Sequence, residues 1–311
     1  MKKVSIILVN WNGRSFILNC IKSIIGSPPS IPYEIIVVDN NSSDGSVEWM
    51  RSEAFISELP KDINFRVIAN NENLGYGKAN NIGFKNSDAD FLFVLNPDTT
   101  VQKGTIDKLL DVFDKDSDIY MTAPAILNED LSRTTSVWSG YTNSLWLLFV
   151  HAFKLQRLLP IRNYNNFFFK GADSTVTCSV DVVSGAAMMV KRETISIIGG
   201  FDEDFFMYGE DLEWCIRIKK AGKKIFFVPE SSVIHAGGKS TEKKWDDFTR
   251  QRKMLDGGIL VARKTMKKFM FRVYMLTYGI SHFFFYLIKA ALFRKRNPSF
   301  YFRKYFAALI K

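Results

Sequence analysis

Four short, largely apolar runs dominate the first hundred positions: 4–9, 34–38, 65–68 and 91–95. Helical spacing separates them. Phe16, Ile17, Cys20, Ile21 and Ile24 recur every three or four residues; Asp44 and Ser46 offer capping groups for a helix over 47–51; a short helix is expected over 78–84. Strands that do not alternate apolar with polar must be covered on both faces, so the pattern predicts an α/β chain with a mostly parallel sheet. In such sheets ligands sit beyond the carboxyl ends of the strands. Each run ends in polar residues: Asn10-Trp11-Asn12, Asp39-Asn40-Asn41, Asn70-Asn71 and Asn96-Pro97-Asp98. These ends are expected to meet along one rim.

The second half is less regular. Residues 128–172 mix loops with an aromatic amphipathic stretch over 145–159. Strands are expected at 176–180, 186–190 and 225–228. A short helix over 193–198 should stop at Gly199-Gly200, and a longer one is expected over 210–220, anchored by Leu212, Cys215, Ile216 and Lys219. The three cysteines are far apart, which argues against a disulfide framework or a cysteine zinc site and fits a reducing compartment. The apolar run after Lys2-Lys3 stops at Asn10, too short for a secretory signal, so a buried first strand is expected there.

Three places carry groups suited to chemistry. Asp98 stands at the end of a buried strand, where a carboxylate can hold Mg²⁺ or Mn²⁺ against a diphosphate; on the triplet alone a simple turn around Pro97 is the favoured account. Glu210 and Asp211 open a helix whose dipole favours the ionised carboxylate, and such a group can take a proton from a hydroxyl; ordinary helix-end charge complementarity is the plainer account. His235 precedes Ala236-Gly237-Gly238-Lys239-Ser240, where an imidazole can ligate Mn²⁺ and Lys239 and Ser240 can meet a phosphate.

The order of the pieces is more specific than any one of them. The opening VSIILVNWNG, then EIIVVDNNSSD, NENLGYGKANN and NPD, then VSGAA, GGFDE, GEDL and finally His235 with Gly238 and Ser240 resemble the family 2 glycosyltransferases. These are inverting enzymes of the GT-A fold, and the likeness is to the rhamnosyltransferase-like and galactofuranosyltransferase-like branch, over about residues 3–245. The resemblance implies that Val9, Asn10 and Asp39 hold the nucleotide base and that Asn73, Gly75 and Lys78 flank nucleotide and sugar. It implies that Asp98 is the second acid of an Asp-x-Asp metal motif, with Asn96 in place of the first. It further implies that His235 joins Asp98 on the metal and that Asp211 is the catalytic base. The expected reaction moves a sugar, rhamnose first, from a dTDP- or UDP-sugar to a saccharide or lipid-linked saccharide of a cell-surface polysaccharide. Two alternatives stay open: a sugar nucleotidyltransferase, disfavoured by the lack of a Gly-rich basic loop near the start, and a silent nucleotide-sugar-binding scaffold, which Asn96 keeps in play.

The net charge of +10 is unevenly placed. No acid follows Asp256, and residues 257–311 hold 12 Lys and Arg, leaving the first 256 nearly neutral. The chain is therefore divided into a catalytic domain, 1–256, and a basic aromatic helical extension, 257–311. Residues 273–288 form a 16-residue uncharged run, short of the roughly 20 needed to span a bilayer. Asn297-Pro298 marks a further helix start, followed by an apolar stripe of Phe302, Tyr305, Phe306, Leu309 and Ile310. Basic amphipathic helices lie in the interface of anionic membranes, so a cytoplasmic protein peripheral to the inner face of the cell membrane is expected. A pair of core-packing helices is the alternative for the tail. Nucleic acid is not expected, since no recognition motif accompanies the charge.

Overall fold

The computed structural model describes residues 2–134, 136–138, 174–236 and 246–293. The amphipathic stretch at 145–159, the stripe beyond Asn297, and Lys239 and Ser240 lie outside the described residues.

Strand β1 (Val4–Asn10) is buried along its whole length and runs parallel to both β2 (Tyr33–Asp39) and β4 (Phe91–Leu95), with β3 (Asn64–Ala69) parallel on the far side of β2. Successive side chains enter opposite layers. Ile6, Leu8, Ile35, Val37, Phe93 and Leu95 join one core with Ile17, Cys20, Ile21 and Ile24 of α1 (Arg14–Ile25). Met50 of α2 (Ser46–Met50) and Phe55 of α3 (Glu53–Ile56) close that layer. Ile7, Val9, Ile36, Val38, Leu92 and Val94 join the other core with Ala79 and Phe84 of α4 (Tyr76–Lys85). Two apolar faces per strand are what unalternated sequence requires. Gly83 lets α4 lie directly on β1: a Cβ there would come within 2.5 Å of Ile7 Cγ2.

Past β4 the sheet turns mixed. Its order is β3-β2-β1-β4-β10-β6-β11-β5, with β8 also on β11. The added elements are β5 (Thr99–Val101), α5 (Thr105–Phe113), β6 (Ile119–Leu127), β7 (Val137–Trp138), β8 (Cys178–Val180), β9 (Val182–Val183), β10 (Ala187–Lys191), α6 (Arg192–Ile197), α7 (Glu210–Lys220) and β11 (Lys224–His235). Strand β10 is antiparallel to β4 and β6, β11 is parallel to β6, and β5 is antiparallel to β11.

Two expectations need correction. The last strand was expected over 225–228, but β11 runs twelve residues; its register with β6 shifts between Val228 and Ser232, so Pro229 and Glu230 fall at an irregularity that breaks the sequence pattern without ending the strand. Helix α7 is not held by a single stripe. Leu212 and Lys219 are only partly buried, while Glu213, Trp214, Cys215, Ile216 and Ile218 are buried, because the helix lies between the sheet core and a further helix, α8 (Asp247–Thr265). Phe205, Ile216 and Val261 pack together at that second contact. Helix α8 continues unbroken through residues 256 and 257 and is followed, after Met266, by α9 (Lys268–Phe293). No helix among the described residues is long and apolar enough to cross a membrane.

Candidate active site

The polar strand ends do meet, and in the first half of the sheet they are bonded mainly to one another. Asp39 Oδ2 accepts from Asn10 Nδ2 (2.7 Å) and Ser42 Oγ (2.7 Å), and its Oδ1 accepts from the Ser42 amide (2.8 Å). Asn10 and Asp39 are fully buried. Next along the rim, Asn70 Nδ2 donates to Asn40 Oδ1 (2.9 Å), and Asn40 Nδ2 donates to the Gly75 carbonyl (3.0 Å). Asn73 Oδ1 receives the Gly75 amide at 3.0 Å, fixing the loop that opens α4. Lys78 sits on the first turn of that helix, partly buried. Gly75 has φ +86°, and a Cβ on it would come within 2.3 Å of the Phe206 carbonyl, which the Tyr76 amide meets at 2.9 Å. The loop ahead of α7 is thereby pinned to the rim.

The antiparallel strands bring the distant acids together. Register on β5 sets His235 opposite Thr99, and the Ala236 amide donates to the Asp98 carbonyl (3.1 Å). His235 Nε2 stands 3.0 Å from Asp98 Oδ1 and 3.5 Å from Asn96 Nδ2. The Asn96 amide donates to the Ala186 carbonyl (2.9 Å), which places the start of β10 beside the Asn96–Asp98 turn. The next amide back, Gly185 N, donates to Asp211 Oδ2 (2.9 Å), while the Leu212 amide donates to Asp211 Oδ1 (2.8 Å). Tyr76 closes the group by donating to the Gly185 carbonyl (2.7 Å). Asp98, Asp211 and His235 thus gather around residues 185–186, although the sequence spreads them over more than a hundred positions.

The electrostatics of this side differ from those of the first strands. Burial raises Asp211 above the ordinary carboxylate range, against the two amides it accepts. Glu210 is 5% exposed, its Oε2 has no hydrogen-bond partner, and burial together with the adjacent Asp211 pushes it up to about 8. Tyr76 rises well above its usual value through burial and through the carboxylates of Glu210, Asp211 and Asp98. Asp211 itself remains partly accessible, as a base must. Tyr76 and Gly185 were given no role in the sequence reading, and Glu210 was read with Asp211 as a first-turn carboxylate kept ionised by the helix dipole; burial instead raises both.

The Asp98–His235 pair suits a divalent cation. Two neighbouring ligands of an octahedral ion at about 2.1 Å stand about 3.0 Å apart, which is the spacing of Oδ1 and Nε2, and a Mg²⁺-like ion usually takes its remaining oxygens from water and substrate phosphates. Asn96 adds no carboxylate, and no group of three or more acidic, histidine or cysteine ligands gathers among the described residues. The chain would thus supply a two-ligand site completed by a diphosphate.

The loop 199–209 is braced from several sides. Trp214 Nε1 donates to the Gly199 carbonyl (2.9 Å), and Arg217 donates to the carbonyls of Ile198 and Gly200 while pairing with Glu213. Lys264 of α8 bridges Asp202 and Asp204. Gly257 of α8 packs so tightly that a Cβ would lie 2.0 Å from the Tyr208 carbonyl. A cleft of about 190 Å³ opens between this loop and α8, lined by Phe206, Tyr208, Lys253 and Asp256 among others.

A mixed, mostly parallel sheet with covered faces, gathering an acid–histidine pair and two carboxyls at its rim, is a GT-A fold. The sequence pattern of Glycosyl transferase family 2 matches residues 5–199, and the chain belongs to that family and is a glycosyltransferase. It is 28% identical over 238 residues to the N-acetylglucosaminyl-diphospho-decaprenol L-rhamnosyltransferase of Mycobacterium tuberculosis, covering 68% of each chain. It is 24% identical over 176 residues to Rhamnosyltransferase WbbL of Escherichia coli, covering 52% of this chain and 60% of that protein. Two solved structures share the fold at a TM-score of 0.59. One is residues 1–349 of S. aureus TarS (13% identity, covering 100% of this chain and 80% of that one). The other is the mannosyltransferase PcManGT of Pyrobaculum calidifontis, in complex with GDP-Man and Mn²⁺ (15% identity, covering 99% and 84%).

Proposed function

We propose that this chain transfers a sugar, with inversion, from a nucleotide-diphosphate donor to a hydroxyl of a saccharide or lipid-linked saccharide at the cytoplasmic face of the cell membrane. dTDP-rhamnose is the first donor to test and a UDP-sugar the second, because several relatives carry rhamnosyltransferase names, one of them acting on a diphospho-decaprenol. The single observation behind this reading is the bracket in which Asn96 meets Ala186 and Gly185 meets Asp211, tying the turn that carries Asp98 and the helix start that carries Asp211 to adjacent residues of one backbone segment.

Each residue then has a task. Val9, Asn10 and Asp39 form the floor for the nucleotide base, and Asn73, Gly75, Lys78 and Asn96 border the diphosphate and sugar. Lys239 and Ser240 would reach the phosphates. Asp98 and His235 would hold Mn²⁺ or Mg²⁺, whose charge stabilises the diphosphate as it departs. Asp211, kept in place by the Gly185 and Leu212 amides, takes the proton from the attacking hydroxyl, which approaches the sugar carbon opposite the departing oxygen.

The test is a donor panel with Mn²⁺, with and without membrane extract. Release of dTDP or UDP that depends on Asp211 supports the reading. Release of pyrophosphate would point to nucleotidyl transfer, and nucleotide-sugar binding without turnover to a silent scaffold; either result sinks the proposal.

A further inference from the structure

Helix α9 carries two apolar faces. Phe271, Tyr274, Met275 and Tyr278 pack with Leu255 and Ile259 of α8. Phe269, Leu276, Ile280 and Phe284 do not take part; they are 70%, 52%, 37% and 54% exposed. At about 100° per residue these four fall within an arc of roughly 80° whose centre is nearly opposite the face that meets α8. The outward stripe is therefore not the ragged edge of a core. It is a second apolar surface on a helix whose first is already satisfied.

Charge selects the occupant. The exposed cations Arg263, Lys267, Lys268 and Arg272 cluster at the junction of the two helices, at the same end of α9 as Phe269, and no acid follows Asp256 in the chain. At 26 residues α9 is about 39 Å long, yet it is not apolar enough to cross a bilayer. A long helix with an aromatic outer stripe and a cationic end suits lying in the plane of the interface, apolar side down, with its cations among anionic headgroups.

We infer that the Phe269–Leu276–Ile280–Phe284 face of α9 docks this enzyme on an anionic bilayer. This deepens the membrane-side reading above by naming the surface, and it separates α8, which braces the base, from α9, which meets the lipid.

The experiment uses the full chain and vesicles of phosphatidylcholine alone or mixed with phosphatidylglycerol. The wild-type protein should float with the mixed vesicles and much less with the neutral ones. The variant F269Q/L276Q/I280Q/F284Q should lose at least about tenfold in vesicle-bound fraction while transferring sugar to a water-soluble acceptor, with release of the nucleotide diphosphate, at the wild-type rate. Equal flotation of the two proteins overturns the assignment, as does a wild-type dimer that the variant converts to monomer, which would mean that a second copy covers the face. Should the fourfold variant fold poorly, an environment-sensitive label on Leu276→Cys, in a Cys178→Ser background, must shift to the blue on mixed vesicles; an unmoved spectrum has the same overturning force. If no donor is turned over at all, the glycosyl-transfer reading fails while flotation still judges this one.

Discussion

The two halves of the rim handle polar groups in opposite ways. Around β1 to β3 the side chains bond chiefly to one another: Asp39 accepts three hydrogen bonds, and Asn10, Asn40, Ser42 and Asn70 pass the network along, leaving Asn10 Oδ1 as its buried atom without a partner. Around β5, β10 and α7 the acids are gathered with much less support. Glu210 Oε2 is buried without a partner beside Asp211, and Asp211 relies on two amides against burial. A satisfied network is rigid and suits recognition, whereas under-compensated carboxyls hold protons more tightly and suit proton transfer. On the proposed reading, binding falls to the parallel half and chemistry to the mixed half.

Substitutions can break or sharpen that division. The largest effect is expected from Asp211→Asn, which should lower turnover about 10²–10⁴-fold with donor affinity and melting temperature nearly unchanged; steady-state kinetics with the preferred donor would read it, and undiminished turnover would remove Asp211 from the role. Asp98→Asn should follow, with roughly a 10²-fold loss and weaker Mn²⁺ binding by titration calorimetry. Gly257→Ala probes support from below: its Cβ would press on the Tyr208 carbonyl, so about 1–3 kcal/mol of stability should go, and turnover should drop while donor KM holds. Gly258→Ala is the matched control, since a Cβ there meets nothing within 4 Å. On the recognition side, Asp39→Asn should raise donor KM about tenfold, the cost of one charge-assisted hydrogen bond, and leave kcat in place; a fall in kcat instead would blur the comparison.

The last expected effect is on the pH dependence of stability. Glu210 titrates near 8 in the folded chain against an ordinary value of 4.5. The folded state therefore holds the proton more tightly, so this group's stabilisation is full below about pH 4.5 and is lost as pH rises through about 8. Thermal melts of the wild type should decline over that window, and Glu210→Gln should flatten the decline.

Much of this was legible in the chain because burial on both faces leaves a strong imprint. Strands β1 to β4 and helices α1, α4 and α7 fall within a residue or two of their expected bounds, and the polar strand ends meet as anticipated. What was not legible has local causes. Strand β5 is only three residues long. Strand β6 carries Thr122 and Pro124, which interrupt an otherwise apolar run. In β11 the irregularity around Pro229 hides the segment that delivers His235. The convergence of Asp98, Asp211 and His235 depends on antiparallel pairings of β10 and β11, and pairing partners leave no mark on a strand's own sequence. Their roles rested on the resemblance; their proximity had to be seen. The tail is a different case, because the change of charge at 256 falls in the middle of α8.

That last mismatch has a practical side. Helix α8 begins ten residues before the charge boundary and ends nine residues after it, and its middle residue contacts are those that steady Tyr208 and Gly209. Trimming the protein at 256 to obtain a more tractable fragment would saw through the strut beneath the proposed base, and the resulting inactivity would be mistaken for a need for lipid. The natural place for the scissors is Met266, where the backbone leaves the helical region between the two rods.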